Sequence, residues 1–438
     1  MHYRKREVVR VRRETAYDCD VLVVGGGIVG LSTAFALTRA APGTRVTVLD
    51  PEPGPDRRTG HESGVVHSGI HYRPGSLRAR YAVRGAAELV RFCAEQGIAH
   101  AVTGQLVVAT RREELPRLHA LAQRGRRNGV AVRELGPAQI TEYEPQVRGL
   151  AAIHVAGTGV CDLAGVARRL TRISGAAVRH GAQVAHVDRS PEHGVAVRLR
   201  DGAVLRARVL VNCAGPHGGT VARLAGDDPG LRIESFRGVS YSLARPLVGG
   251  VVHPVPDPAL PFPGVRLARD IDGGVSVGAH VAAAPAPAPA VREGRAVPRT
   301  AARGRAQGAA ADAGRDVRTA VAPDRPGGRA AERRTDRPAP RRPGRYDAGD
   351  TRRPLPEEAF AEAVRRLLPS VTRDELVPGP ARLRTRAVLR DGTPFDDFLI
   401  KEGPRTVHVL NASSPAVTAS LPLGREVGRR VLTALNRV

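Results

Sequence analysis

The chain has 438 residues, 42% of them hydrophobic, which is long for one core and suits two structural domains, interleaved or not. Its net charge of +25 comes from arginine, with Lys5 and Lys401 the only lysines. With no zinc finger, RNA-recognition motif or basic zipper beside it, that excess reads as the codon usage of a GC-rich genome and not as a specific nucleic-acid site. No run approaches 18 consecutive apolar residues, and Cys19, Cys93, Cys161 and Cys213 show no CxxC spacing. A membrane-spanning helix, a disulfide framework and a zinc site are therefore not expected, and a reducing cytoplasm fits.

Residues 1–17 are basic and lack the apolar centre of a signal peptide, and Glu7 and Glu14 interrupt a transit-peptide pattern. They read as an arm. "CDVLVVGGGIVGLSTAFALTRAAPGTRVTVLD" (19–50) then predicts strand, tight turn, helix, strand. An amphipathic helix is predicted over 77–97, a strand over 104–110 and a charged helix over 112–128. A further helix is expected around 162–174 and a buried strand over 207–215. From "RIESFRGVSYSL" to "GVRLARDIDGGVSVGA" the alternation and turn residues suit an antiparallel sheet. The last part, from "DDFLI" onward, predicts hairpin, loop and a terminal helix beginning near Ala416.

Gly25, Gly27 and Gly30 form GxGxxG between the first strand and its helix. The first glycine permits the turn, the second admits a pyrophosphate to the backbone, and the third lets helix and strand pack closely. The open helix N-terminus, including Ile28 and Val29, offers N–H groups and a positive dipole end. Asp50 ends the second strand, where an acid accepts hydrogen bonds from an adenosine ribose and disfavours a 2′-phosphate. The apolar strand ending at Ala214 and Gly215 looks like one that returns to the dinucleotide, which favours FAD over NAD. The stretch "SGVVHSGIHYRPGS" (63–76) gathers three Ser, three Gly, two His, a Tyr and an Arg after this unit.

These pieces, with "GQLVVAT", "FRGVSYSL", "HPVPDP", "LVPGPARLR", "DDFLI" and "LNASSPAVTASLPLG", resemble the FAD-dependent D-amino-acid-oxidase-like superfamily, and within it the L-2-hydroxyglutarate oxidase/dehydrogenase family. The resemblance spans about 19–280 and 354–438. It implies an α/β (α+β overall) fold, a Rossmann-like FAD-binding domain from 18–85, 150–225 and 385–438, with an interleaved antiparallel-sheet substrate domain from 86–149 and 226–384. It implies that Ser63, Gly64, His67, Ser68 and Gly69 pass beneath the flavin, and adds Val184 to the cofactor contacts. Ser413, Pro415, Ala416 and Thr418 belong to the loop and helix facing the flavin pyrimidine edge, whose positive end favours an anionic reduced flavin.

The activity implied is oxidation of L-2-hydroxyglutarate to 2-oxoglutarate, by hydride transfer from C2 to flavin N5 while a base takes the hydroxyl proton. Electrons then pass to oxygen or a membrane quinone. His67, Arg237, Tyr241, Arg269 and Arg384 match family residues, the arginines as carboxylate clamps. His71 stands where the family has Tyr, and Arg266 where it has a histidine, a candidate base. Val239 replaces a Glu, "GAH" at 278–280 replaces "GPN", and Arg386 replaces a Gln. The alternatives are an amine or amino-acid oxidase of the glycine or sarcosine type, and a catalytically impaired flavin-binding remnant. The expected location is the cytoplasm, with peripheral contact at the inner face of the membrane if a quinone is the acceptor.

One segment breaks the pattern. From Val281 to Arg345 the chain is almost wholly Ala, Pro, Arg, Gly, Val and Asp, and loses every large apolar residue at once. Such a stretch, 281–350 at its widest, cannot bury enough apolar area to offset its ordering entropy, and little regular structure is expected. It reads as out-of-frame translation of GC-rich codons between two compensating shifts, or else as an Arg/Pro-rich insertion.

Overall fold

The first strand, β1 (Cys19–Val24), buries five of its six residues, as a parallel strand covered on both faces must. It leads into helix α1 (Ile28–Ala40) and returns through β2 (Val46–Leu49), which runs parallel to β1 with Val21 opposite Val46. The computed structural model describes residues 17–54, 64–257, 264–285, 357–379, 382–412 and 414–437, all within one compact unit.

The elements that follow are β3 (Val65–Val66), α2 (Leu77–Glu95), β4 (His100–Ala101), β5 (Gln105–Ala109), α3 (Leu115–Arg127), β6 (Arg133–Leu135), α4 (Pro137–Tyr143), β7 (Ala151–Val155) and β8 (Gly159–Cys161). Next come α5 (Leu163–Ser174), β9 (Ala177–Arg179), β10 (Val184–Ser190), β11 (Gly194–Leu199), β12 (Val204–Asn212), α6 (Gly218–Leu224), β13 (Leu231–Leu243), β14 (Val251–Pro254), β15 (Arg266–Arg269) and β16 (Val275–Pro285). The last are α7 (Glu357–Leu367), β17 (Leu376–Pro378), β18 (Arg382–Leu389), β19 (Pro394–Phe395), β20 (Leu399–Gly403), β21 (Thr406–Asn411) and α8 (Ala416–Leu435).

Among the described residues these strands form three sheets. The first has a parallel centre in the order β9-β2-β1-β12-β21, flanked by the antiparallel strands β10, β11 and β20. Three separate stretches of chain supply it. The second is ten-stranded and mostly antiparallel, in the order β19-β18-β13-β16-β15-β14-β5-β7-β6 with β17 beside β13. A small sheet, β3-β8-β4, lies apart from both.

Helix α8 packs on α1 and α2 through missing side chains. A Cβ on Gly424 would stand 2.6 Å from the Ser32 carbonyl oxygen, and one on Gly85 would overlap the Thr418 carbonyl. Leu31, Leu37, Leu89, Leu423 and Val427 fill the core around these contacts. Each fully buried Leu contributes about 1.5–3 kcal/mol. The N-terminus of α2 is doubly held. Ser76 Oγ accepts the Ala79 N–H, and the Asp397 carboxylate accepts the N–H groups of Leu77 (3.1 Å) and Arg78 (2.9 Å).

The fold class follows the expectation, but the boundaries shift. Residue 86 falls inside the continuous helix α2. Strand β7, just past residue 150, pairs with β5 in the ten-stranded sheet, and β18 runs across residue 385 while paired with β13. Periodicity locates a strand and says nothing of its partner, and both of these strands pair within the ten-stranded sheet. Strand β16 continues to Pro285 against β13, five residues past residue 280, where regular structure was expected to end. The rest of the Ala/Pro/Arg-rich segment lies outside the described residues, as does the N-terminal arm up to residue 16.

Candidate active site

The three motif glycines meet three different demands. Gly25 has φ +109°, and a Cβ there would overlap the Cys213 carbonyl where β12 returns beside β1. A Cβ on Gly30 would overlap the Gly25 carbonyl. A Cβ on Gly27 would meet nothing within 4 Å, so its space is open above the N-terminus of α1. Ile28 and Val29 are buried in the first turn, and Gly27 supplies no side-chain cap. Asp50 is buried at the end of β2; its Oδ2 accepts the Gly26 N–H at 2.6 Å and its Oδ1 the Glu52 N–H at 2.8 Å. Ala214 and Gly215 (φ +56°, with open space at its Cβ) close the crevice from β12. Val184 begins β10 in the cluster that holds Leu49 and Ala182.

From Gly64 to Ser76 the chain passes from the small sheet, through β3, to His71 beside His253 of the ten-stranded sheet, and on to the N-terminus of α2. Ser63 and Ser413 lie outside the described residues. Gly64 (φ +60°) is required by packing, because a Cβ would stand 2.5 Å from the Cys161 carbonyl in β8. Gly69 (φ +92°) is pressed against Val83 of α2 in the same way. The small residues expected to admit the flavin thus also serve the fold. The His67 N–H donates to Thr418 Oγ1 at 2.9 Å, tying this stretch to α8. Ser68 Oγ is buried with no hydrogen-bond partner among the described residues. Pro415 precedes Ala416 at the N-terminus of α8, which carries no side-chain cap. An open space at Gly27, two uncapped helix N-termini, a buried acid past β2 and an orphaned hydroxyl on the connecting stretch together fit FAD.

Beside His71, one face of the ten-stranded sheet presents polar groups. In β14 and β15, Val251 and Ala268 pack toward Val65 and Val160 of the small sheet, whereas Val252 and Leu267 pack in the core with α7. By the two-residue period, His253 and Arg266 share the face of Val251 and Ala268. Continuing the register of Val251 with Ala268 sets His253 across from Arg266. The Nε2 of His253 is 2.9 Å from Gln105 Nε2 and 3.4 Å from His71 Nε2. Burial, then the Arg124 charge, lowers the His71 imidazole to about 4. Burial, then His71, holds His253 well below the usual histidine value. Tyr72 is pushed up to about 12 by burial, against a hydrogen bond with Ser414 and the charges of Arg78 and Arg266.

Two other expected site residues, Arg269 and Tyr241, sit on the side of the sheet that packs with α7. Arg269 lies with Leu267 on the opposite face by the same alternation; its charge acts on Glu144, which accepts the N–H groups of Gly249 and Gly250. Tyr241 is buried in the second core, its ring stacked on Phe360 of α7 at 4.8 Å. Arg237 in β13 pairs with Leu383, and Arg384 in β18 with Phe236; their backbones are neighbours and their side chains are outside the description. Neither His253, within "HPVPDP", nor Arg266, a departure from the family pattern, is among the expected site residues. The alternation in "VVHP" and "VRLAR" was the signal that places both on one face.

A parallel sheet with a glycine cradle, joined to an antiparallel sheet across a polar face, defines a flavin-dependent oxidoreductase. The family described as FAD dependent oxidoreductase matches residues 20–430, and this chain belongs to it. L-2-hydroxyglutarate dehydrogenase of Escherichia coli (strain K12) is 32% identical over 423 residues, 95% of this chain and 94% of that protein. The mitochondrial L-2-hydroxyglutarate dehydrogenase of Homo sapiens is 31% identical, over 96% and 90%. Among solved structures, an L-alpha-glycerophosphate oxidase from Mycoplasma pneumoniae with FAD bound aligns with a TM-score of 0.68 at 19% identity, over 95% of this chain and 94% of that one. A glycine oxidase from Geobacillus kaustophilus aligns with a TM-score of 0.64 at 16% identity, over 96% and 95%. The last two likenesses concern the fold alone. The cofactor is FAD.

Proposed function

We propose that the chain oxidises L-2-hydroxyglutarate to 2-oxoglutarate. The observation that carries this reading is near-full-length similarity, at 31–33% identity, to relatives named for that substrate. A cation, Arg266, on the sheet face that meets His71 agrees with it. When bound, FAD supplies the acceptor for the hydride that leaves substrate C2.

The chain's own residues handle the carboxylates and the proton. Arg266 offers a planar fork to one carboxylate, with Arg237 or Arg384 the candidates for the other. His253 Nδ1–H donates to the Pro254 carbonyl at 3.2 Å, so its Nε2 accepts from the Gln105 amide, whose oxygen accepts the Thr158 hydroxyl at 3.2 Å. His71 then carries its proton on Nε2, toward His253, and keeps the Nδ1 lone pair to receive the hydroxyl proton. C2–H departs as hydride with its electron pair, the O–H proton passes to His71, and C2=O forms. A weak base suffices, because hydride loss turns the alcohol into a protonated ketone, a strong acid. His67, held by Thr418, stands at the cradle side of this group.

Oxygen or a membrane quinone completes the turnover, in the cytoplasm, with peripheral membrane contact in the quinone case. No helix among the described residues is long and apolar enough to cross a membrane. The amine-oxidase alternative has likeness of fold alone behind it. The reading is tested by product analysis: 2-oxoglutarate should form from the L enantiomer of 2-hydroxyglutarate and not from the D enantiomer, glycine or sarcosine. Faster turnover of an amine than of L-2-hydroxyglutarate would displace it.

A further inference from the structure

Behind the Ala214–Gly215 turn lies a buried polar chain that the reaction does not use. Asp227, in the loop after α6, accepts hydrogen bonds from His408 Nε2 (2.8 Å), Thr406 Oγ1 (2.7 Å) and Arg189 Nη1 (3.0 Å). His408 Nδ1 lies 3.0 Å from Asn212 Nδ2, which also donates to the Gly218 carbonyl at 2.7 Å. Asn212 Oδ1 accepts the Ala214 N–H at 3.2 Å. Asn212 and Thr406 are fully buried and His408 is 1% exposed.

The pattern of donors leaves one consistent assignment. The carboxylate of Asp227 can only accept, so His408 carries its proton on Nε2. The Asn212 amide nitrogen can only donate, so His408 Nδ1 must be a bare lone pair. Every group from Asp227 to the Ala214 backbone is then satisfied in one direction, as a buried network must be. The turn at its end is the one that packs on Gly25: the Cys213 N–H donates to the Val24 carbonyl at 2.8 Å, and Gly215 faces the crevice.

We infer that His408 is a positioning residue for the FAD crevice: held as the neutral Nε2–H tautomer, it fixes Asn212 and through it the Ala214–Gly215 turn, and taking up a second proton releases that turn and weakens FAD binding. A proton on Nδ1 would face the Asn212 amide hydrogens, and the amide could turn over only by losing its bonds to Gly218 and Ala214. The charged groups that face the imidazole are Asp227, Arg189 of β10 and Lys401 of β20. Burial lowers the His408 imidazole and outweighs the raising effect of Asp227, with Arg189 and Lys401 lowering it further. Burial raises the Asp227 carboxyl, but hydrogen bonds from His408 and Thr406 and the Arg189 charge bring it below the ordinary value. Both shifts agree on an ionised Asp227 beside a neutral His408.

The test is FAD affinity, read by flavin fluorescence on the full chain, between about pH 8 and about pH 5. For the native protein the Kd should rise as pH falls, by up to about tenfold per pH unit below the His408 titration. His408→Asn keeps an acceptor for Asn212 and cannot titrate, so its Kd should stay within about twofold over the same range. Parallel pH profiles in the two proteins overturn the inference. Nitrogen NMR of the native holoenzyme reads the tautomer directly, whether or not the variant folds. A proton on Nε2 alone at neutral pH is expected, and a proton on Nδ1 contradicts it.

Discussion

Nε2 of His71 and Nε2 of His253 lie 3.4 Å apart, with the rings tilted by 45° at a centroid distance of 4.9 Å. Two imidazoles this close cannot both be protonated at low cost, and burial depresses both. Because the folded value of His71 is about 4, below the ordinary 6.5, its contribution to stability is complete above pH 6.5 and is lost as pH falls toward 4. We predict that, with FAD kept saturating, the pH dependence of kcat/KM shows no inflection near 6.5 on the acid side, and falls only toward about 4. His71→Phe should lower kcat by about 10²–10⁴-fold if the ring is the proton acceptor. A loss below about tenfold, measured under saturating substrate, removes His71 from that role.

The glycines of one motif should fail in different ways. Gly27→Val puts a side chain into open space, so the protein should fold with the thermal stability of the native apoprotein and purify colourless. Gly30→Ala drives a methyl into the Gly25 carbonyl, so it should lose about 1–3 kcal/mol of stability in denaturant titration. Normal FAD content in Gly27→Val would refute the cradle.

The first sheet was legible because its signals are local. A buried parallel strand is a continuous apolar run, and GxGxxG with Asp50 beyond it follows from turn geometry and hydrogen bonding over some thirty residues. The substrate face was not legible in the same way. Whether Arg266 or Arg269 reaches the site depends on which face of β15 meets the small sheet, and that is set by Val65 and Val160, a hundred residues and more away. Tyr241 is an expected site residue because it matches the family, while its stacking partner Phe360 lies beyond the segment where the sequence pattern breaks down. Helix α7 itself could have been found from Phe360, Val364 and Leu367, which recur at helical spacing and are all buried.

That difference in faces gives a paired prediction. Arg266→Ala should raise KM for 2-hydroxyglutarate and lower kcat/KM, by about 2–5 kcal/mol if the carboxylate is left buried and unpaired. Arg269→Ala, on the Glu144 side, should leave KM within about twofold, since it touches structure and not substrate. Steady-state kinetics on the two variants decides; equal effects would mean that the alternation does not hold at the end of β15.

Phe360→Ala removes the ring on which Tyr241 stacks and opens a cavity in the core of the ten-stranded sheet. The expected loss is about 3–5 kcal/mol in urea or guanidinium unfolding, with FAD content unchanged in the protein that remains folded. A loss under about 1 kcal/mol would show that α7 is not part of that core.

The proposed activity is one reaction at one cofactor. Purified holoenzyme mixed anaerobically with L-2-hydroxyglutarate should lose its flavin absorption band in a single turnover, while D-2-hydroxyglutarate, lactate, glycine and sarcosine leave it intact over the same time. Bleaching by an amine, or an unchanged band with L-2-hydroxyglutarate in protein that carries a full complement of FAD, would contradict it.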